Sequence, residues 1–385
     1  MHIHLLGGSN TGIWNGWAHH FVIMAERDLG ARVTNGFLGA VGSLYGLLQL
    51  QKLVREGAPL PDAIVFEYAL NDIVLVHGDV VSLSLVRETL MDVCGFCVRR
   101  GVTLQYLCLE PKALRSFRPF HRGRRVRPIY DAAALRHGLP APLSQHEAMG
   151  RNVLDGDYLD EHHLTPDASR AVAEALVRRL SAPPLAAAAG RVPKAEPRKA
   201  GPAFDYVDAT QASVAGRAWP STCDMTILKG PVVELRRPSS ARWPATGRLV
   251  GVLLRARPTS GWYRITVEGA VRRKNACGSD LKLLPEVVTL HYPHVWRRVR
   301  AAVEIAMPDD EAGLMRLGED VSPMPLDPEP PFADQELAVF GLILWRGPSG
   351  FDRVAEALDF CRRSVARGWP WRRVAAKHWT PGKFR

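Results

Sequence analysis

The chain predicts an α/β domain with a parallel sheet, then a linker, then a β-rich sandwich or jelly-roll domain. Three observations carry that expectation. Short apolar runs alternate with helical patterns over residues 1–181. A stretch dominated by Ala and Pro follows at Ala182–Ala203, with no periodic apolar face to bury. Beyond it, over residues 204–385, apolar segments are separated by Pro, Gly and Ser clusters, the punctuation of short strands. At 385 residues the chain also exceeds a single core, which rarely grows past about 250–300 residues.

In the first part, His2–Leu6, Ala31–Asn35, Ala63–Glu67 and Val102–Cys108 read as buried strands. The segments Trp14–Leu29, Ser43–Glu56 and Leu83–Arg100 read as helices. Strand–helix alternation with few hairpin signals argues for a parallel sheet covered on both faces. A last helix opens at Thr165-Pro166-Asp167, with a hydroxyl N-cap, proline at the first helical position and an acid in the first turn. Val172, Leu176, Val177 and Leu180 form its buried stripe. After the linker, Val232–Leu235, Leu249–Arg257, Tyr263–Gly269, Val287–Tyr292, Val299–Ile305 and Leu337–Trp345 are strand-like. A helix near Phe351–Arg367 and a basic tail close the chain.

Composition narrows the functional classes. At 46% hydrophobic and 23% charged, a chain disordered throughout is excluded. Apolar runs such as Leu337–Trp345 fall far short of the ~20 residues a membrane helix needs. The first residues, Met1-His2-Ile3-His4-Leu5, offer no cationic start for a signal peptide. Six cysteines make no disulfide framework, so the expectation is a cytoplasmic protein with reduced thiols and no membrane span. The formal charge of +11 is uneven: Lys112–Arg136 carries +7, whereas the rest of residues 1–181 sums to −6. Charge gathered in one strip and in the tail Arg353–Arg385 suits a local anionic partner better than nucleic acid, whose binders spread charge along a face.

Four polar devices stand at the ends of elements, where an open parallel sheet binds ligands. The first strand runs into Gly7-Gly8-Ser9-Asn10-Thr11, the second ends in Asn35-Gly36-Phe37-Leu38-Gly39, and the third in Glu67-Tyr68-Ala69-Leu70-Asn71-Asp72. Each alone reads as a turn, the Asn-Asp pair as a turn or a helix cap. The fourth is Asp160-Glu161-His162-His163 before the last helix. An Asp three residues before a His can reach the imidazole Nδ1 and leave Nε2 to take a proton from a serine. A metal reading competes, since Asp155, Asp157, Asp160, His162 and His163 are all possible ligands, but no second cluster of that density accompanies them. Cys94 and Cys97, the pair His2 and His4, and the pair His19 and His20 read as structural. Eight of the ten tryptophans follow the linker, and some could be sugar-stacking platforms.

These blocks, in this order, resemble the SGNH (GDSL-type) hydrolases over roughly residues 1–181. The resemblance implies a flavodoxin-like three-layer α/β/α fold. It implies Ser9 as nucleophile, His163 as general base and Asp160 as the group that orients His163. It implies an oxyanion hole made of the Ser9 and Gly39 N–H groups and the Asn71 side chain, with no cofactor and no metal. Two departures stand out: Gly8 replaces the family's Asp before the serine, and Ala69 replaces its Gly two residues before the Asn.

The reaction this implies is removal of an O-acyl group, acetyl in the first instance, from a carbohydrate or similar hydroxylated molecule. An O-acyltransferase using the same acyl-serine chemistry is the alternative, and a catalytically lapsed binding module is a third reading. The basic strip, with Arg122, Arg124 and Arg125 at its core, leaves the same sheet edge and marks the substrate as anionic.

Overall fold

The computed structural model describes residues 1–115, 122–182, 202–225, 227–282, 284–294, 297–320 and 326–347. The linker core, the expected helix at Phe351–Arg367, the basic tail, and Trp296, Trp369, Trp371 and Trp379 lie outside the described residues.

The elements run β1 (His2–Gly7), α1 (Ser9–Gly12), α2 (Trp17–Leu29), β2 (Arg32–Asn35), α3 (Ser43–Arg55), β3 (Ala63–Glu67) and α4 (Ala69–His77). They continue with α5 (Leu83–Arg100), β4 (Thr103–Cys108), α6 (Val126–Arg136), β5 (Leu143–Ser144), α7 (Gln145–Met149) and α8 (Pro166–Ser181). The five strands form one parallel sheet in the order β2-β1-β3-β4-β5, the flavodoxin-like arrangement. Alternation along the strands divides the core. Ile3, Leu5, Val65 and Leu107 face α2 and α8, while Leu6, Ile64, Phe66 and Tyr106 face α3, α5 and α6. Helix ends follow local chemistry. Ser82 Oγ accepts from Leu85 N–H at 3.1 Å to cap α5, and Thr165 Oγ1 accepts from Ala168 N–H at 3.4 Å to cap α8.

Three local expectations are corrected. The helix expected from Trp14 starts at Trp17, behind Gly16, and leaves Trp14 in solvent. Asn71 and Asp72 do not close a strand in a turn but lie in the first turn of α4. The basic strip is not a loop throughout: Val126–Arg136 is α6, burying Val126, Ile129, Tyr130, Ala133 and Ala134 at helical spacing beneath its arginines.

The second region consists of β6 (Phe204–Asp208), β7 (Ser213–Asp224), β8 (Lys229–Pro244), β9 (Arg248–Ala256), β10 (Trp262–Val267), β11 (Ala270–Asn275), β12 (Val287–His291), β13 (Ala302–Met307), the short helix α9 (Glu311–Met315) and β14 (Glu336–Trp345). All of its ladders are antiparallel. The long strand β8 forks the sheet. Its residues 239–244 pair with β13, and its residues 233–236 pair with β14. The two arms curl towards each other, so Leu235, Val252, Leu254 and Leu342 share one core with Trp243, Tyr263, Ile265 and Ile305.

The arm containing β9, β12 and β14 is apolar on its other face as well. Val250, Leu253, Leu290, Phe340, Ile343 and Trp345 belong to the same cluster as Leu44, Leu47 and Leu48 of α3 and Val93 and Cys97 of α5. Helices α3 and α5 are thus covered by a sheet on each side, which explains why α3 buries seven of its thirteen residues. Continuity of this core predicts a single calorimetric transition for both regions. Ile343→Ala, at the shared face, should cost about 2–5 kcal/mol in urea unfolding. Two separate transitions, with only the β-rich one shifted, would contradict the shared core.

Candidate active site

Ser9 follows β1 and Asn71 follows β3, so the two flank the point where strand order reverses, the usual ligand position of this topology. The turn at Ser9 is built by close packing. A Cβ on Gly7 would lie 2.0 Å from Thr11 Oγ1, and one on Gly8 would lie 2.2 Å from Asn71 Oδ1. A residue with a Cβ at either position would require Thr11 or Asn71 to shift. The turn is also held by β3: Gly8 N–H donates to the Glu67 carbonyl at 3.0 Å and to its Oε2 at 3.3 Å. Thr11 Oγ1 donates to the same Oε2 at 2.9 Å. A carboxyl group therefore does support this loop, although Gly8 supplies none; it comes from Glu67 instead.

The His-bearing loop reaches Ser9 from the far end of the α/β domain. His163 Nε2 lies 2.8 Å from Ser9 Oγ, and His163 Nδ1 lies 2.8 Å from Asp160 Oδ2. The other Asp160 oxygen accepts the N–H groups of His162 and His163 at 2.7 and 2.9 Å. Burial acts to raise the Asp160 carboxyl, but these bonds overcome it and hold the group well below the usual carboxylate range. Burial, and then the neighbouring His163, push His162 down. Asn10 clamps the two loops together. Its Nδ2 donates to the His162 carbonyl at 2.9 Å, and its Oδ1 accepts Leu164 N–H at 3.4 Å.

Gly39 sits beside the serine, where a Cβ would lie 3.6 Å from Ser9 Cβ. Asn71 is buried against Gly8. Asp72, the next residue, accepts Ser43 N–H at 2.9 Å and Tyr130 O–H at 2.7 Å. Burial pushes Asp72 up to about 6 against the pull of those bonds. Ser9, Gly39, Asn71, Asp160 and His163 are thus gathered at one edge of the sheet.

The arginine strip is placed differently for each member. Arg122 is ion-paired with Asp79, whereas Arg124 and Arg125 are exposed. Arg124 Nη2 donates to the Leu114 carbonyl at 3.0 Å. Arg124 also lines a cleft of about 280 Å³ with Ile73, Glu110, Leu114, Gly123 and Arg127. Of its lining residues, Ile73 lies on α4 two positions after Asn71.

The weaker sequence candidates resolve locally. Among the described residues, no group of three or more His, Cys, Asp and Glu side chains could hold a metal. No described helix is long and apolar enough to cross a membrane. Cys94 and Cys97 are free buried thiols, and Cys94 Sγ contacts Tyr106 Oη at 3.1 Å. His2 Nε2 and His4 Nδ1 both meet Thr34 Oγ1 at 2.8 Å. Trp243 and Trp345 are core, and Trp219 is partly exposed beneath Arg236. The residues the sequence did not single out are Asn10, Thr11 and Glu67. Glu67 carried a signal: it is an acid ending a strand whose other residues are Ala, Ile, Val and Phe.

No family model and no curated protein matches the chain. Solved structures do. They include TesA, 19% identical, covering 47% of this chain and 98% of that one at a TM-score of 0.38. The acetyl xylan esterase AlAXEase is 13% identical, with coverages of 47% and 100% and a TM-score of 0.38. A member of the lipolytic protein G-D-S-L family from Veillonella parvula DSM 2008 is 14% identical, with coverages of 46% and 97% and a TM-score of 0.37. SGNH hydrolases and acetyl xylan esterases are thus among the solved structures to which the chain is similar, over roughly half its length.

Glu67 generates a test. Complete burial pushes its carboxyl from 4.5 up to about 8, against the bonds from Thr11 and Gly8. A raised carboxyl stabilises the fold below its unfolded value, and that contribution is lost as pH rises from 4.5 to about 8. Glu67→Gln should remove this slope, so its melting temperature should gain on the wild type progressively across that window. Parallel melting-temperature profiles for the two proteins would show that Glu67 titrates normally.

Proposed function

We propose that the chain is a serine-dependent ester hydrolase that removes an O-acyl group, acetyl first among them, from a carbohydrate or similar hydroxylated substrate. The observation that carries this reading is the unbroken hydrogen-bonded row from Ser9 Oγ through both nitrogens of His163 to Asp160. In it, Ser9 is the nucleophile, His163 the base and Asp160 the residue that fixes the imidazole tautomer. As Ser9 Oγ attacks the ester carbonyl, its proton passes to His163 Nε2. The oxyanion is received by the N–H groups of Ser9 and Gly39 and the amide of Asn71. Collapse expels the alcohol, which takes the proton from His163 and leaves an acyl-Ser9. Water, deprotonated by His163, then attacks the acyl group; the acyl–Ser9 bond breaks, His163 returns the proton to Ser9 Oγ, and the carboxylic acid is released.

In this reading residues 1–181 catalyse, and the exposed Arg124 and Arg125 select an anionic substrate such as an acidic or phosphorylated glycan. Arg122, already paired with Asp79, contributes less.

Purified protein assayed with p-nitrophenyl acetate tests the reaction. Ser9→Ala and His163→Ala should abolish turnover and fluorophosphonate labelling, whereas His162→Ala should retain most of both. Asn71→Ala should lower kcat by roughly 10²–10³-fold with a smaller change in KM. Labelling that persists in Ser9→Ala would sink the assignment.

Substrate charge is tested separately. The double variant Arg124→Ala with Arg125→Ala should raise KM for an acidic acetylated glycan and flatten its salt dependence, with little effect on p-nitrophenyl acetate. Equal losses on both substrates would mean that these arginines read no charge.

A further inference from the structure

The β-rich region touches two of the three segments that carry the oxyanion donors, the turn of Gly39 and the helix of Asn71. Tyr292, which follows β12, is buried, and its hydroxyl accepts Gly42 N–H at 3.0 Å. Gly42 is the N-cap of α3 and stands three residues after Gly39. Gly42 has no spare room: a Cβ there would lie 2.5 Å from Asp72 Oδ1 and 3.4 Å from Tyr292 Oη. Between the two glycines, Ala40 has a φ of +58°, a left-handed conformation that a residue with a Cβ keeps only when its surroundings impose it. Ser43, the residue after Gly42, donates its N–H to Asp72, which follows Asn71. The segment 39–43 is therefore pinned from α4 on one side and from Tyr292 on the other.

A second tie reaches the far end of α4. His294 Nε2 donates to the Val80 carbonyl at 3.1 Å, in the turn after that helix. Its ring is fixed by Asp320, whose Oδ1 lies 2.7 Å from Nδ1 and whose Oδ2 accepts His294 N–H at 2.8 Å. Asp320 is itself buried beside Lys274. That buried pair holds the imidazole from within the β-rich region.

We propose that Tyr292 is a positioning residue for the reaction. Through Gly42 it sets the backbone that presents Gly39 N–H to the oxyanion, and His294 steadies the helix that presents Asn71. The proposal rests on the hydrolase reading above. It gives the β-rich region a part in forming the site, whether or not that region also binds glycan.

Tyr292→Phe tests it, because the ring and its packing remain while the hydroxyl is lost. With kcat normalised by fluorophosphonate active-site titration, misfolded protein does not register. The variant should lose roughly 10-fold in kcat with KM nearly unchanged, since the affected donor engages only as charge develops. Affinity for a trifluoromethyl ketone, which occupies the same hole, should fall in parallel with kcat/KM. Amide hydrogen exchange should accelerate in residues 39–43 and not in residues 336–345. Unchanged kcat and ketone affinity would overturn the proposal, even with faster exchange or a lower melting temperature, because Tyr292 would then serve packing alone. Wild-type turnover that survives Ser9→Ala would instead overturn the hydrolase reading, and this inference with it.

Discussion

One constraint organises the molecule: helices α3 and α5 have apolar surface on both sides and must be covered twice. The parallel sheet covers one side, through residues such as Leu6, Phe66 and Tyr106, and the β14 arm covers the other, through Phe340, Ile343 and Trp345. In that position the first half of α3 is buried all round, from Ser43 to Leu48, while Gln51, Lys52 and Arg55 of its second half reach the surface. The same constraint explains β14, whose residues after Glu336 are buried without alternation in a ladder that is antiparallel throughout. Unbroken apolar runs are expected where both faces of a strand are covered.

The site inherits its geometry from that arrangement. The N-terminus of α3 is held by Asp72 and Tyr292, so the turn carrying Gly39 is anchored by the same layer that unites the two regions. The Ser9 turn is anchored to β3 by Glu67, and the His163 loop is anchored to the Ser9 turn by Asn10. Three loops distant in sequence thus converge through side chains that are not themselves in the row of Ser9, His163 and Asp160.

Much of this was legible in the sequence because the relevant signals are local. Strands β1, β3 and β4 are short β-branched or leucine-rich runs, and α8 announces itself through Thr165-Pro166-Asp167. Ser9, Asn71 and the pair Asp160 and His163 were readable as polar groups at the ends of elements. What escaped was non-local. Helix α6 was hidden by Pro128 within it and by the arginines that run into it, and α4 by an Asn-Asp pair that locally favours a turn or a cap. Strand β7, exposed along most of its length, has no apolar alternation and exists because it pairs with β8. Nor does anything local say that Tyr292 would meet Gly42, a contact that spans 250 positions.

Glu67 also bears on what the serine turn tolerates. One buried carboxyl oxygen receives both the Gly8 N–H and the Thr11 hydroxyl, so backbone and side chain of the turn share a single support. A Cβ at Gly8 would press on the Asn71 amide, and an acid there would set a second carboxyl beside a buried one. Positions 8 and 67 therefore act as one unit, in which a change at either is felt through the other.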